Sequence, residues 1–197
     1  MTGQSNIPDA AQTMAPATLQ IRLEQTMQIF NTLDPYPFVG RDLDPAAEDY
    51  LVTWAQEVPQ GQPLRIEVLV PREEAAKPEA LQLPRAVQSY FTNRVAVVSR
   101  ELKQLFRIGR TALLIGIVML GLCLLLAQTL TTLYHDNGFI SVLGEGLVIA
   151  GWVANWRPIE IFLYDWWPLV RQRRLFHRLA NAQMEVIAER ASPPVPS

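Results

Sequence analysis

Residues 111–134 read TALLIGIVMLGLCLLLAQTLTTLY and contain no Asp, Glu, Lys or Arg. At about 1.5 Å per residue, a helix of this length crosses the roughly 30 Å hydrocarbon layer of a bilayer. The polar turn HDNG follows at 135–138, and a second apolar run, 139–156, carries Glu145 as its single charge. The two runs predict a membrane protein built on a transmembrane hairpin of helices 111–134 and 139–156.

Basic residues stand at both open ends of this hairpin. Residues 94–110 hold five Lys or Arg and residues 157–178 hold another five, whereas 111–156 hold none. Because positive charge concentrates on the cytoplasmic side of a membrane, both termini are predicted to be cytoplasmic and the turn 135–138 external. The N-terminus has no apolar leader, so we expect the first span to direct insertion.

The chain before the hairpin predicts a small cytoplasmic α/β unit with a linker, residues 17–83. Asp44 is a good helix N-cap and Pro45 suits the first helical position, so a helix is predicted there. Residues 64–70 alternate apolar and polar side chains, which predicts a strand. Residues 17–33 are predicted to form a strand from the alternation at Leu19, Ile21 and Leu23, but the stripe of a helix also fits them, and that alternative stays open. If they form a strand, a parallel pair with a right-handed crossover is expected, which needs further packing to be stable.

Helical extensions are predicted where the chain enters and leaves the membrane. After a charged linker, 71–83, an apolar stripe over 84–110 predicts an amphipathic helix that merges into the first span. An interfacial aromatic segment, 157–168, follows the second span, and Pro168 is predicted to bend or break the chain. Residues 169–191 predict a cytoplasmic amphipathic helix whose stripe packs against the first one. The segments predicted to be disordered tails are 1–16 and 192–197.

Glu145 is the first candidate for a functional role. A carboxyl group within a span costs a few kcal/mol and usually faces a bundle interior or a cavity. Either a protonated Glu145 bonds to Gln128 or a threonine on the first span and holds the helices together, or it forms a proton or cation site. Small residues allow helices to approach closely. Those predicted to pack here are Gly144, Gly146 and Gly151 with Val148, and Gly116 and Gly121 on the first span.

A second candidate set follows the second span, where Arg157 and Glu160 are three residues apart and can pair. The main interpretation is anchoring at the membrane surface by arginines and tryptophans. The alternative is a site for an anionic lipid headgroup or a polar partner, with the basic residues of 94–110 and 171–178 forming one collar. The residues predicted to lie at this interface are Arg157, Glu160, Trp166, Trp167, Arg171, Arg173 and Arg174.

Known catalytic and cofactor motifs are missing from the sequence. It has no phosphate-binding or dinucleotide-binding glycine pattern, no nucleophile elbow and no Cys/His cluster, so no cofactor is expected. The acids Asp42, Asp44, Glu48 and Asp49 suggest a metal site only weakly, because helix capping explains the last three. Cys123 is expected to be inert packing, and the acidic N-terminal part argues against nucleic-acid binding.

Two stretches, WRPIEIFLYDWWP at 156–168 and LDPYPFVGRDLDPAAEDYLVTWAQE at 33–57, resemble runs in uncharacterised bacterial inner-membrane proteins. Those proteins are similar in having a small N-terminal cytoplasmic head and two spans. The resemblance implies the inner (plasma) membrane of a bacterium and attaches no activity.

The leading functional hypothesis is a non-enzymatic, membrane-anchored interaction or accessory subunit that forms a homo-oligomer or joins a larger membrane complex. The alternative is a small oligomeric channel or transporter subunit that uses Glu145. A third, weaker hypothesis is an enzyme that uses the acids of the head.

Overall fold

The computed structural model describes residues 15–31, 34, 40–134 and 138–189. The chain divides into two compact units. One, the head, comprises Met1–Val95 and Arg174–Ser197, and the other, the helical unit, comprises Ala96–Arg173. The predicted tail 192–197, most of the tail 1–16 and residues 135–137 of the predicted turn lie outside the described residues.

The head contains a three-stranded parallel sheet in the order β1 (Ala17–Arg22), β2 (Leu64–Pro71) and β3 (Gln183–Glu189). The predicted strand at 64–70 and its parallel pairing with the first strand are confirmed. Leu64, Ile66, Val68 and Val70 of β2 share one buried face, as the alternating pattern requires. The open question at 17–33 resolves into β1 followed by a 3-10 helix, Thr26–Ile29.

The predicted amphipathic helix 169–191 is wrong beyond Ala180. Helix α6 spans Trp166–Ala180. The side-chain amide of the next residue, Asn181, donates to the carbonyl of His177 at 2.7 Å. The following residues form β3, paired along its length with β2. The strand is favoured over the predicted helix because pairing with β2 satisfies the backbone groups of β3. It also adds a third strand to a sheet that would be unstable with two.

Between residues 44 and 83, the helices of the head depart from the sequence prediction at the linker. Helix α1 spans Pro45–Glu57, and the Asp44 carboxylate accepts a bond from the Ala46 N–H at 2.9 Å, as a capping residue should. The predicted linker 71–83 is wrong, because it forms α2 (Arg72–Ala75) and the start of α3 (Pro78–Leu133). Pro78 is tolerated in the first turn of α3, where backbone N–H groups lack helical partners anyway.

Two predicted apolar stripes meet inside the head. The rings of Phe91 on α3 and Phe176 on α6 lie 6.0 Å apart and are 0% and 2% exposed. The contact predicted between the helices that flank the hairpin is confirmed at this pair. It belongs to the core that covers the buried face of the sheet.

The helical unit contains the rest of α3, α4 (Gly138–Ala154), α5 (Trp156–Glu160), a π-helical turn (Ile161–Asp165) and the start of α6. Two helical stretches, Pro78–Leu133 and Gly138–Ala180, are long and apolar enough to cross a membrane. Their most apolar windows are only 17% buried within the protein, so most of the apolar surface faces outward. Of the bend or break predicted at Pro168, the break is wrong, because the helical stretch Gly138–Ala180 continues through this proline.

Candidate functional site

The contact between α3 and α4 is organised by Asn155, which is 6% exposed. Its amide donates to the carbonyls of Gly116 at 3.0 Å and Gly151 at 3.1 Å. A Cβ atom on Gly116 would lie 2.6 Å from the Asn155 Oδ1 atom, and one on Gly151 would lie 3.2 Å from the Leu120 Cα atom. Glycine is therefore required where the two helices approach most closely.

The other predicted packing glycines divide into two groups. A Cβ on Gly144 would contact the Thr131 side chain at 3.3 Å, whereas one on Gly121 or Gly146 would meet open space. Sequence reasoning missed Asn155 because it lies at the end of the apolar run, where a polar residue is expected at the membrane surface. The signal was its spacing of four residues from Gly151, one helical turn.

Glu145 and Gln128 are both exposed on the surface of the helical unit. Across the described range, no hydrogen bond joins either side chain to the other helix. Residues one and two turns from Glu145 on α4, Ser141, Ile149 and Trp152, are exposed as well. Glu145 therefore belongs to an outward face of α4.

Arg157 and Glu160 of the predicted interface residues belong to one ion-pair cluster, which also includes Asp165. The Arg157 guanidinium contacts the carboxylates of Glu160 at 2.9 Å and Asp165 at 3.2 Å. Two acids beside one arginine repel an additional anion, which argues against a lipid-phosphate site at Arg157 itself. The Trp166 indole N–H donates to the Phe162 carbonyl at 2.9 Å, which fits an anchoring role.

The remaining predicted interface residues lack such partners. Trp167 is exposed and its ring centroid lies 5.6 Å from that of Trp166. Arg171 and Arg174 are exposed and Arg173 is half-buried. No ion pair within the described residues includes these three arginines.

The helical unit also contains a groove of about 680 Å³, named here the basic groove. Its lining combines four cations, one amide and two aromatic rings. These residues are Arg100, Lys103, Gln104, Phe106, Arg107, Arg110 and Phe162. Four of the five basic residues of 94–110 line this groove, in the part of α3 that directly precedes the apolar run.

Two of the acids that the sequence singled out in the head, Asp44 and Glu48, make structural contacts. The Glu48 carboxylate accepts bonds from the Tyr90 hydroxyl at 2.6 Å and the Arg94 guanidinium at 2.8 Å. Burial, together with the bond to Glu48, raises the pKa of Tyr90 above its usual range. Asp44 caps α1, and among the described residues no three Asp, Glu, His or Cys side chains come together as metal ligands.

Glu74 is the buried acid that sequence reasoning placed in a linker. Its carboxylate accepts bonds from the Thr26 N–H at 3.0 Å and the Thr26 hydroxyl at 2.8 Å, and it pairs with Lys77. The hydrogen bond from Lys77, followed by those from Thr26, lowers the pKa of Glu74 to about 2. The side chain joins α2 to the 3-10 helix after β1 and is structural.

The second face of the sheet, named here the outer face, is polar and largely accessible. Along β2 it presents Arg65, Glu67 and Leu69, all half-buried, between exposed neighbours on β1 and β3. Cross-strand contacts follow the register, such as Gln20 to Glu67 at 2.9 Å and Arg65 to Gln183 at 3.3 Å. Parallel sheets are normally covered on both faces, so a face left open is a candidate binding surface.

Comparisons with protein families, with curated proteins and with solved structures gave no match to this chain. The resemblance to bacterial two-span proteins therefore stays an expectation, and function has to be argued from the geometry alone.

Proposed function

We propose that this chain is a non-enzymatic accessory subunit of a bacterial inner membrane, in which the hairpin anchors the head and the head binds a partner. The observation that carries the proposal is the outer face of the sheet. One face of the sheet is packed in the core, while the other presents polar side chains and the apolar pair Leu69 and Ile187. A mixed polar and apolar face of this kind is typical of transient protein interfaces.

The chain topology supports anchoring at one side of a membrane. Strands β1 and β2 precede the hairpin and β3 follows it, yet the three strands form one sheet. If the two helices cross a bilayer, both chain ends must lie on the same side of it. The excess of Lys and Arg at the hairpin's open ends favours the cytoplasmic side for the head.

Cysteine accessibility tests the anchoring and its orientation. Cys123 is buried and is the only cysteine, so Cys123→Ala provides a background without thiols. Gln28→Cys marks the head, and His135→Cys marks the predicted external turn. In intact cells, a membrane-impermeant maleimide is expected to label position 135 only, and to label position 28 after permeabilisation. Equal labelling of both positions in intact cells contradicts the proposal.

Site-specific photo-crosslinking tests the outer face. A crosslinking amino acid at Gln20 lies on that face, and one at Gln82 is a matched control on an exposed position of α3. In native membranes we expect a protein adduct of discrete mass from position 20 and none from position 82. Adducts from both positions, or from neither, contradict a partner at the outer face.

One observation favours the channel hypothesis: the side chain of Glu145 is exposed on α4. A carboxyl group facing lipid is costly, so another protein segment is its favourable neighbour, as in a ring of subunits. If the chain forms a pore, wild type and Glu145→Gln assemble into the same symmetric oligomer and only the variant loses flux. Glu160→Gln, which removes a surface acid from the Arg157 cluster, is the matched control. A monomer in a bilayer excludes this function.

A further inference from the structure

We propose that the basic groove binds the phosphate group of an anionic phospholipid. The proposal rests on the membrane anchoring proposed above and assigns a ligand to residues on α3. Its first support is uncompensated charge. The cations Arg100, Lys103, Arg107 and Arg110 line one groove, and among the residues that the structure describes no acid lines it with them.

The spacing of these cations concentrates positive potential. The steps from 100 to 103, 107 and 110 are three, four and three residues, which place the side chains on one face of the helix. Within the described part of the chain, none of the four takes part in an ion pair, in contrast to Arg157 with its two acids. Like charges at this spacing repel, so a bound anion relieves a repulsion already present in the helix.

The position along α3 selects a phospholipid headgroup. Arg110 directly precedes the uncharged run that begins at Thr111, and Arg107 lies about 4.5 Å further along the axis. The polar layer of each leaflet is roughly 5–8 Å thick, so Arg107 and Arg110 fall at phosphate depth. Arg100 lies about 15 Å from Arg110, beyond this layer. The two arginines nearest the apolar run are therefore expected to dominate binding.

The aromatic part of the groove favours an amphiphile over a free anion. The rings of Phe106 and Phe162 lie 6.2 Å apart beside the cations. A Cβ on Gly109 would come within 2.9 Å of the Ile161 side chain, so the π-helical turn that holds Phe162 packs directly on α3. Local π-helical turns occur frequently at functional sites. Apolar surface next to cations matches the glycerol and acyl region next to a phosphate.

The test uses the full chain in nanodiscs of equimolar phosphatidylcholine and phosphatidylglycerol. Native mass spectrometry after release from the disc measures how much of each lipid stays bound. Wild type is expected to retain phosphatidylglycerol preferentially. Arg107→Gln and Arg110→Gln should each reduce this preference roughly fivefold, because one cation near the membrane surface contributes about 1 kcal/mol. Arg85→Gln, an exposed cation earlier in α3 and outside the groove, is the matched control and should leave the preference unchanged.

Each further outcome has a distinct meaning. Equal retention of the two lipids by wild type, or an equal effect of Arg85→Gln, overturns the inference. Displacement of phosphatidylglycerol by inorganic phosphate at equal concentration also overturns it, and identifies a soluble phosphate as the ligand. A chain that does not enter nanodiscs at all contradicts the proposed anchoring itself, whereas a chain that enters without lipid preference contradicts only the groove.

Discussion

Arg178 offers the sharpest test of how the head is held together. Its guanidinium donates to the carbonyls of Ala55 and Val58 at 3.2 Å each, of Pro59 at 3.1 Å and of Gln62 at 3.4 Å. The last carbonyls of a helix lack helical partners, and here an arginine from α6 bonds to the carbonyl of Ala55 in the last turn of α1 and to that of its cap, Val58. A residue that sequence reasoning counted in a lipid-facing collar thus links two helices of the head.

The expected cost of Arg178→Gln follows from these bonds. A hydrogen bond to a charged group contributes about 1.5–3 kcal/mol. The four distances are longer than the 2.7–2.9 Å typical of charge-assisted bonds, and the bonds share one side chain, so they do not add. We expect a loss of about 2 kcal/mol in the free energy of unfolding of the head for Arg178→Gln, and about 1 kcal/mol for Arg178→Lys, which keeps the charge without the fork.

Hydrogen exchange of the full chain in detergent measures this loss. A change of about 2 kcal/mol corresponds to roughly 30-fold faster exchange of protected amides in β2 and α1. Arg174→Gln, four residues earlier on α6 and exposed, is the control and should change exchange by less than about twofold. The reasoning is refuted if Arg178→Gln has no larger effect than Arg174→Gln, or if Arg178→Lys restores full protection.

Three further predictions concern other contacts. The pKa of Glu74 is about 2 in the fold against a usual 4.5, so the stability it contributes is present above pH 4.5 and is lost as the pH falls toward 2. Unfolding midpoints across that range should therefore fall less steeply for Glu74→Gln than for wild type, and parallel curves contradict this. Gly151→Leu should destabilise the helical unit by about 1–3 kcal/mol in thermal unfolding, whereas Gly146→Leu, which meets open space, should not; equal losses refute the close contact. Val186→Asp should unfold the head, because Val186 pairs with fully buried Val68. Ile187→Asp, on the outer face, should leave the circular dichroism spectrum unchanged. The reverse result would contradict the strand and favour the helix predicted for this segment.

Much of the candidate site followed from residue patterns, but its internal pairing did not. The cations of 94–110 were identified by counting charges, because Lys and Arg that flank an apolar span concentrate on one side of a membrane. The pair of Arg157 and Glu160 was predicted from its spacing, whereas the contacts of Arg178 involve residues more than a hundred positions earlier and were not predicted. Arg157 pairs with two acids and Arg178 donates to backbone carbonyls, whereas among the described residues no acid lines the basic groove beside its four cations.

The sequence by itself determined the two long apolar helices, the capped helix at Pro45 and the strand at Leu64. In each case the signal is local, because an uncharged apolar run, a capping pair or a strict alternation favours one conformation whatever it packs against. Only the tertiary structure decided the fate of 183–189, the burial of Glu74 and the role of Asn155. Residues 183–189 are compatible with helix and strand, and the free edge of β2, more than a hundred residues earlier, makes the strand the lower-energy choice. Such a choice depends on which unsatisfied backbone and polar groups the fold brings close, and no local pattern contains that information.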